Sequence, residues 1–179
     1  NKGDELNPNY RSRLVGREIK NDNRLDLFAA TPPLETLKFI TAMCAKGQQG
    51  TQRKRLAVID IKRAYFYAPS KRPMFIEIPA EDKEAGDEDY VGRLELSLYG
   101  TRDAAANIQM EVAKLMKSLG HTQTVYNASL YHHSQQGISV LVHGDDFVAV
   151  GNPQHLASTE TALRNKYKIK TELVGNDAS

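Results

Sequence analysis

The chain has 179 residues, 40% hydrophobic and 26% charged, the balance of one folded domain rather than of a disordered tail. A single cysteine, Cys44, excludes an internal disulfide, and no apolar run approaches the ~18 residues of a bilayer-spanning helix. With no signal peptide at the start and no membrane partner implied, the expectation is a soluble, intracellular, cytoplasmic protein. The net charge of +2 hides an asymmetry: residues 1–72 hold 15 Lys and Arg against 7 Asp and Glu, the remainder 9 against 15. Basic residues gather from Arg11 to Lys20, in Arg53-Lys54-Arg55 and in Lys62-Arg63. Any one such cluster reads as a solvated face. Three of them close in sequence to a candidate metal-binding acid point to a polyanionic partner.

Along the chain, residues 1–10 read as a frayed entry and Arg11 to Ile19 as a basic strand. Asn21-Asp22-Asn23 supplies a turn. Thr31-Pro32-Pro33 starts a helix with Leu34, Leu37, Ile40 and Cys44 on one face and Gly47 as its stop. Leu56 to Ile61 is an apolar run broken only by Asp60, as expected of a central strand. Met74 to Ile78 and Val91 to Leu96 are two further strands joined by an acidic loop, Glu81 to Asp89. Asp103 is the expected cap of a long helix that buries Ile108, Val112, Leu115, Met116 and Leu119 and stops at Gly120. Ala128 to Tyr131 is a short strand. Ile138 to Val142 and Phe147 to Val150 flank the polar break His143 to Asp146 and form a hairpin. Asn152-Pro153 opens a last helix, followed by the start of one more strand. The order predicts an α+β fold, a mainly antiparallel sheet with helices packed on one face.

Asp145 and Asp146 repel each other at a hairpin tip and call for a cation, either a basic side chain or a bound metal. Asp60 adds a third carboxylate in another apolar strand, where an unpaired acid costs several kcal/mol. The two strands could be neighbours, so that the three acids converge on one sheet edge. Carboxylates holding two divalent ions roughly 3.5–4 Å apart suit phosphoryl or nucleotidyl transfer, with substrate phosphates completing the coordination.

Five segments, in order, resemble the reverse transcriptase domain of copia-type LTR retrotransposons, including divergent protist versions. Arg13-Leu14-Val15-Gly16-Arg17 resembles the basic fingers segment, and Asp26 to Pro33 the stretch before the first helix. Asp60-Ile61-Lys62-Arg63-Ala64-Tyr65-Phe66 resembles the motif of the first catalytic aspartate. Leu98-Tyr99-Gly100-Thr101-Arg102-Asp103-Ala104-Ala105 resembles the template-grip motif, and Val142-His143-Gly144-Asp145-Asp146 the aspartate-pair hairpin.

The resemblance implies a palm-and-fingers polymerase fold, with residues 1–55 fingers-like and 56–179 palm, truncated before thumb or connection and RNase H. It implies RNA-directed DNA synthesis, with two Mg²⁺ ions (Mn²⁺ as a substitute) adding dNTPs to a primer 3′-hydroxyl. Asp60, Asp145 and Asp146 would be the catalytic acids and metal ligands, with the Ile61 carbonyl. Arg13, Arg17, Tyr65, Tyr99 and Gly100 would bind nucleotide. Tyr65 would exclude a 2′-hydroxyl or be an ordinary half-buried tyrosine, and Arg13 and Arg17 would reach the triphosphate or template or be solvated. Partners would be primer–template and the other polyprotein domains, RNase H and integrase, in a virus-like particle.

The chain also departs from the pattern. His143 and Gly144 replace an aromatic and a small apolar residue, so that glycine is expected to loosen the hairpin and His143 to cap the strand or meet the primer. Ala105 stands for a proline and Ile108 for a tryptophan. His132-His133 reads as a surface strand end, and Cys44 as core. A catalytically silent remnant, a domesticated nucleic-acid-binding module and a nucleotide cyclase are the competing functions.

Overall fold

The computed structural model describes residues 4–8, 10, 13–19, 27, 29–46 and 53–174. The expected Asn21–Asn23 turn, Asp26 and the helix stop at Gly47 lie outside them. The elements are α1 (Leu34–Lys46), β1 (Arg55–Ile61), β2 (Phe75–Glu77), β3 (Val91–Arg93), α2 (Ala104–Ser118), β4 (Thr122–Gln123), β5 (Leu130–His133), β6 (Ile138–His143), β7 (Asp146–Gly151), α3 (Pro153–Lys166) and β8 (Ile169–Val174). β4-β5-β6-β7-β1-β8 form one sheet, antiparallel at every pairing, and β2 and β3 form a separate ribbon. The α+β class and the mainly antiparallel sheet are as expected.

The placement of the helices is not. β1 sends Ala57, Ile59 and Ile61 to one face, where they pack with Ile108, Val112 and Met116 of α2 and Leu156 and Leu163 of α3. It sends Leu56 and Val58 to the other, where Ile40, Met43 and Cys44 of α1 meet Leu141, Val148 and Val150. Helices therefore cover both faces, because the central strands are apolar on both sides and each side needs cover. α1 buries Ile40 and leaves Leu34 and Leu37 exposed, so its buried face is rotated toward Met43 relative to the expected stripe. Cys44 is on that buried side, as expected.

Residues 13–19 form no strand; the Gly16 amide donates instead to the Tyr99 carbonyl. Asp103 stands at the start of α2 but its side chain caps nothing, being drawn instead to Arg72 and Asn107. Asn152 does cap α3, accepting a hydrogen bond from the Gln154 amide at 3.0 Å with Pro153 in the first turn. His133 is not a surface residue: it is buried edge-on against His121, with ring centroids 5.2 Å apart.

Candidate active site

β1 and β7 pair so that Asp60 stands directly opposite Asp146. The same rank continues on both sides, to His143 across the β6–β7 hairpin and to Lys170 across the β1–β8 pairing. Residues facing each other across neighbouring strands project from the same side of a sheet. One transverse row therefore reads His143, Asp146, Asp60, Lys170: two acids between two potential cations. Asp145 sits in the turn beside it, and its carbonyl accepts the Ile61 amide at 2.9 Å, locking the hairpin tip to the end of β1. The Ile61 side chain is fully buried on the face covered by α2 and α3.

The hairpin turn is Gly144-Asp145. Gly144 has φ +63 while Asp145 is not left-handed, the pattern of a II′ turn with glycine first. Gly144 thus fits the bend instead of loosening it. On the other side of the row, Arg63 is the one described non-glycine residue in the left-handed region, φ 59 and ψ 44. It turns the chain from β1 into a 3₁₀ turn, Ala64–Tyr67, that carries Tyr65 back toward the acids.

Tyr65 packs edge-on against Tyr99 with centroids 4.5 Å apart, and the Arg13 guanidinium lies 4.7 Å over the Tyr99 ring. Burial raises the pKa of both phenols, and the charge of Asp145 raises it further, so both rings lie within its field. The segment holding Arg13 is fixed by backbone. The Gly16 amide donates to the Tyr99 carbonyl at 2.6 Å, and a Cβ on Gly100, whose φ is +86, would lie 2.0 Å from the Gly16 carbonyl oxygen. Farther along, Glu18 accepts from Arg72 at 2.7 Å and from the Arg102 amide at 2.8 Å, and Arg72 also contacts buried Asp103 at 3.2 Å. For Glu18 and Asp103 alike, burial works to raise the pKa but hydrogen bonds and the Arg72 charge outweigh it, holding both below the ordinary carboxylate range.

Burial, reinforced by the charges of Asp145 and Asp60, pushes the Asp146 carboxyl above its ordinary value, and His143 only partly offsets this. Three mutually repelling carboxylates in a partly open row are a donor set suited to a hard cation. Among the described residues, no three His, Cys, Asp or Glu side chains converge closely enough to cage an ion by themselves.

Residues 1–175 match the model of a family described as "Reverse transcriptase (RNA-dependent DNA polymerase)". The chain belongs to this reverse transcriptase family. It is 23% identical over 168 residues to "Retrovirus-related Pol polyprotein from transposon TNT 1-94" of Nicotiana tabacum. It is 22% identical over 164 residues to "Retrovirus-related Pol polyprotein from transposon RE2" of Arabidopsis thaliana. Both alignments cover 90% of this chain but only 12% and 11% of those proteins. No solved structure matches the chain. The resemblance to copia-type elements drawn from the motifs is borne out by these relatives.

Within this reverse transcriptase domain, the structure groups Asp60, Ile61, Asp145, Asp146, Tyr65, Tyr99, Gly100 and Arg13. It does not bring Arg17 to them: Arg17 is exposed, and among the described residues it makes no contact comparable to the stacking of Arg13, because without a strand there is no alternation to align the two. Lys170, Glu18 and Arg72 escaped sequence reasoning. The alternation Lys166-Tyr167-Lys168-Ile169-Lys170 was the available signal for the first, whereas Glu18 meets partners 54 and 84 residues away.

Proposed function

We propose that the domain catalyses RNA-directed DNA synthesis, with the Asp60–Asp146 rank and neighbouring Asp145 as its centre. The observation that carries this reading is the register placing Asp60 opposite Asp146 at the end of the sheet where the hairpin turns. Two bound Mg²⁺ ions would supply activation of the primer 3′-hydroxyl and charge neutralisation at the α-phosphate of the incoming dNTP. The chain's own part is positioning. Asp60, Asp145, Asp146 and the Ile61 carbonyl hold the ions. The Tyr65–Tyr99 pair walls the nucleotide sugar, with Tyr65 disfavouring a 2′-hydroxyl by contact. Gly100 leaves room beside the base, and Arg13 reaches phosphate once it leaves the Tyr99 ring.

In this reading the fold is that of a polymerase, residues 1–55 forming the fingers-like part and 56–179 the palm. The chain spans about an eighth of the length of its curated relatives. Primer–template, dNTP, the RNase H and integrase domains and a cytoplasmic virus-like particle are accordingly part of the proposal.

The test is Mg²⁺-dependent binding of a dNTP to primer–template-loaded protein by calorimetry, together with single-nucleotide primer extension. Wild type should bind and extend, and Asp145→Asn should lose at least 100-fold in extension, on the order expected when a charge-stabilising group is removed. Indistinguishable behaviour of wild type and variant in both assays would mark a binding module instead.

A further inference from the structure

Between residues 73 and 179 the chain is acidic, with 9 Lys and Arg against 15 Asp and Glu, yet four of those nine cations fall within Arg164–Lys170. Tyr167 and Ile169 are buried, while Lys166, Lys168 and Lys170 are exposed, so the run from the end of α3 into β8 turns every second residue outward as lysine. Extended chain spaces such residues ~7 Å apart, close to the separation of successive phosphates on one nucleic-acid strand. Lys62 joins from the end of β1, its amide donating to the Lys168 carbonyl at 2.8 Å. Lys62, Arg164, Lys166, Tyr167 and Lys168 line a groove of about 440 Å³ whose lining includes no acid. Glu160 holds Arg164, Glu111 lies 3.7 Å from Lys166 and Glu172 pairs with Lys170, but neither Lys62 nor Lys168 has an ion pair among the described residues. The series ends at Lys170, the register partner of Asp60.

We propose that Lys62, Lys166, Lys168 and Lys170 form a phosphate track that leads one nucleic-acid strand along the β8 edge to the acid row. A single small anion would use one or two of these cations, whereas only a polyanion uses the repeat. Lysines on flexible stems contact phosphate without reading bases, so the track is sequence-independent and salt-sensitive. The destination of the strand rests on the polymerase reading. The existence of the track does not, and it is tested without metal.

The experiment measures affinity for a fluorescent primer–template with a single-stranded overhang, in EDTA, between 50 and 200 mM KCl. Lys62→Gln/Lys168→Gln should flatten the dependence of log Kd on log salt by roughly 0.7–0.9 per lysine and weaken binding several-fold at 50 mM. Lys38→Gln/Lys117→Gln, which removes equal charge elsewhere, should change both by less than half as much. Melting temperatures of both variants should stay at the wild-type value, since the substituted side chains are exposed. An unchanged slope, an equal loss in the Lys38/Lys117 pair, or no binding by wild type in EDTA would each overturn the track. Asp60→Asn/Asp146→Asn should bind at least as tightly as wild type in EDTA, and weaker binding also counts against the track. Loss of Mg²⁺ response in that variant bears on the catalytic reading alone.

Discussion

Asp60 and Asp146 face each other across the β1–β7 ladder with Asp145 one residue away, and the Asp146 carboxyl is held above its ordinary value by burial and by its two acidic neighbours. A carboxyl raised in this way binds its proton more readily in the fold than in the unfolded chain. Its ionised form therefore weakens the metal-free fold at neutral pH, and the loss disappears as pH falls through the raised pKa. Asp146→Asn should raise the melting temperature in EDTA by a few degrees at most, because the carboxyl is only partly covered and solvent screens its charge. It should also remove most of the stabilisation that wild type gains from millimolar Mg²⁺. Differential scanning fluorimetry with and without Mg²⁺ checks both signs.

His121 makes a second pH prediction. Burial, then the charges of His133 and His132, lowers its pKa to about 4, backbone contacts with Met116 and Leu119 offset this only in part, and among the described residues neither ring nitrogen makes a well-formed hydrogen bond. The folded state thus keeps it neutral where the unfolded chain begins to take up a proton near the ordinary histidine value of 6.5. The contribution is intact above that value and is lost progressively as pH falls toward 4, by roughly 3 kcal/mol in all. Urea titrations at pH 7.5 and 4.5 should show the loss, and His121→Phe should lack this part of it.

Gly100 admits the Gly16 carbonyl, and both its space and its φ of +86 are denied to a larger residue. Gly100→Ala should detach residues 13–19 from Tyr99 while leaving the sheet intact. Trypsin should then cut at Arg13 and Arg17 several-fold faster than in wild type, with little change in the circular dichroism of the remainder.

Arg72 ties Glu18 to Asp103, which is only 4% exposed. Arg72→Met strands a buried charge and should cost roughly 3 kcal/mol, part of which Arg72→Met/Asp103→Asn should restore. The two carboxyls are held low, so their contribution is present above the ordinary carboxylate range and lost as pH falls below it. That window lies beneath the one set by His121. Chemical denaturation of the single and double variants measures the difference.

The hairpin, β1 and the three long helices were legible because each is a local pattern: alternating or continuous apolar runs, Pro153 after Asn152, and prolines before Leu34. The approach of Asp60 to Asp146 was legible as well, since one lies near the end of an apolar strand and the other opens an apolar strand beside the turn. What local pattern could not carry was competition between distant groups. Asp103 has the sequence of a cap, but Arg72, 31 residues earlier, takes its carboxylate. Arg13 to Ile19 has the composition of a strand, but Gly16 docks its backbone on Tyr99 instead. The second helical layer was foreshadowed by the continuous apolar stretch Leu56–Ile59 of β1, which a one-sided sheet would not need.

The sheet ends on β8, whose outer side has no neighbouring strand among the described residues. Such an unpaired ladder can template the backbone of another molecule. Lys168, Lys170 and Glu172 discourage that approach by charge and hydration along the first part of the strand, whereas Leu173 and Val174 are exposed and uncharged. Self-association of concentrated protein should therefore nucleate at the Leu173–Val174 end, and a lysine placed at Leu173 should extend the protection along the whole rim.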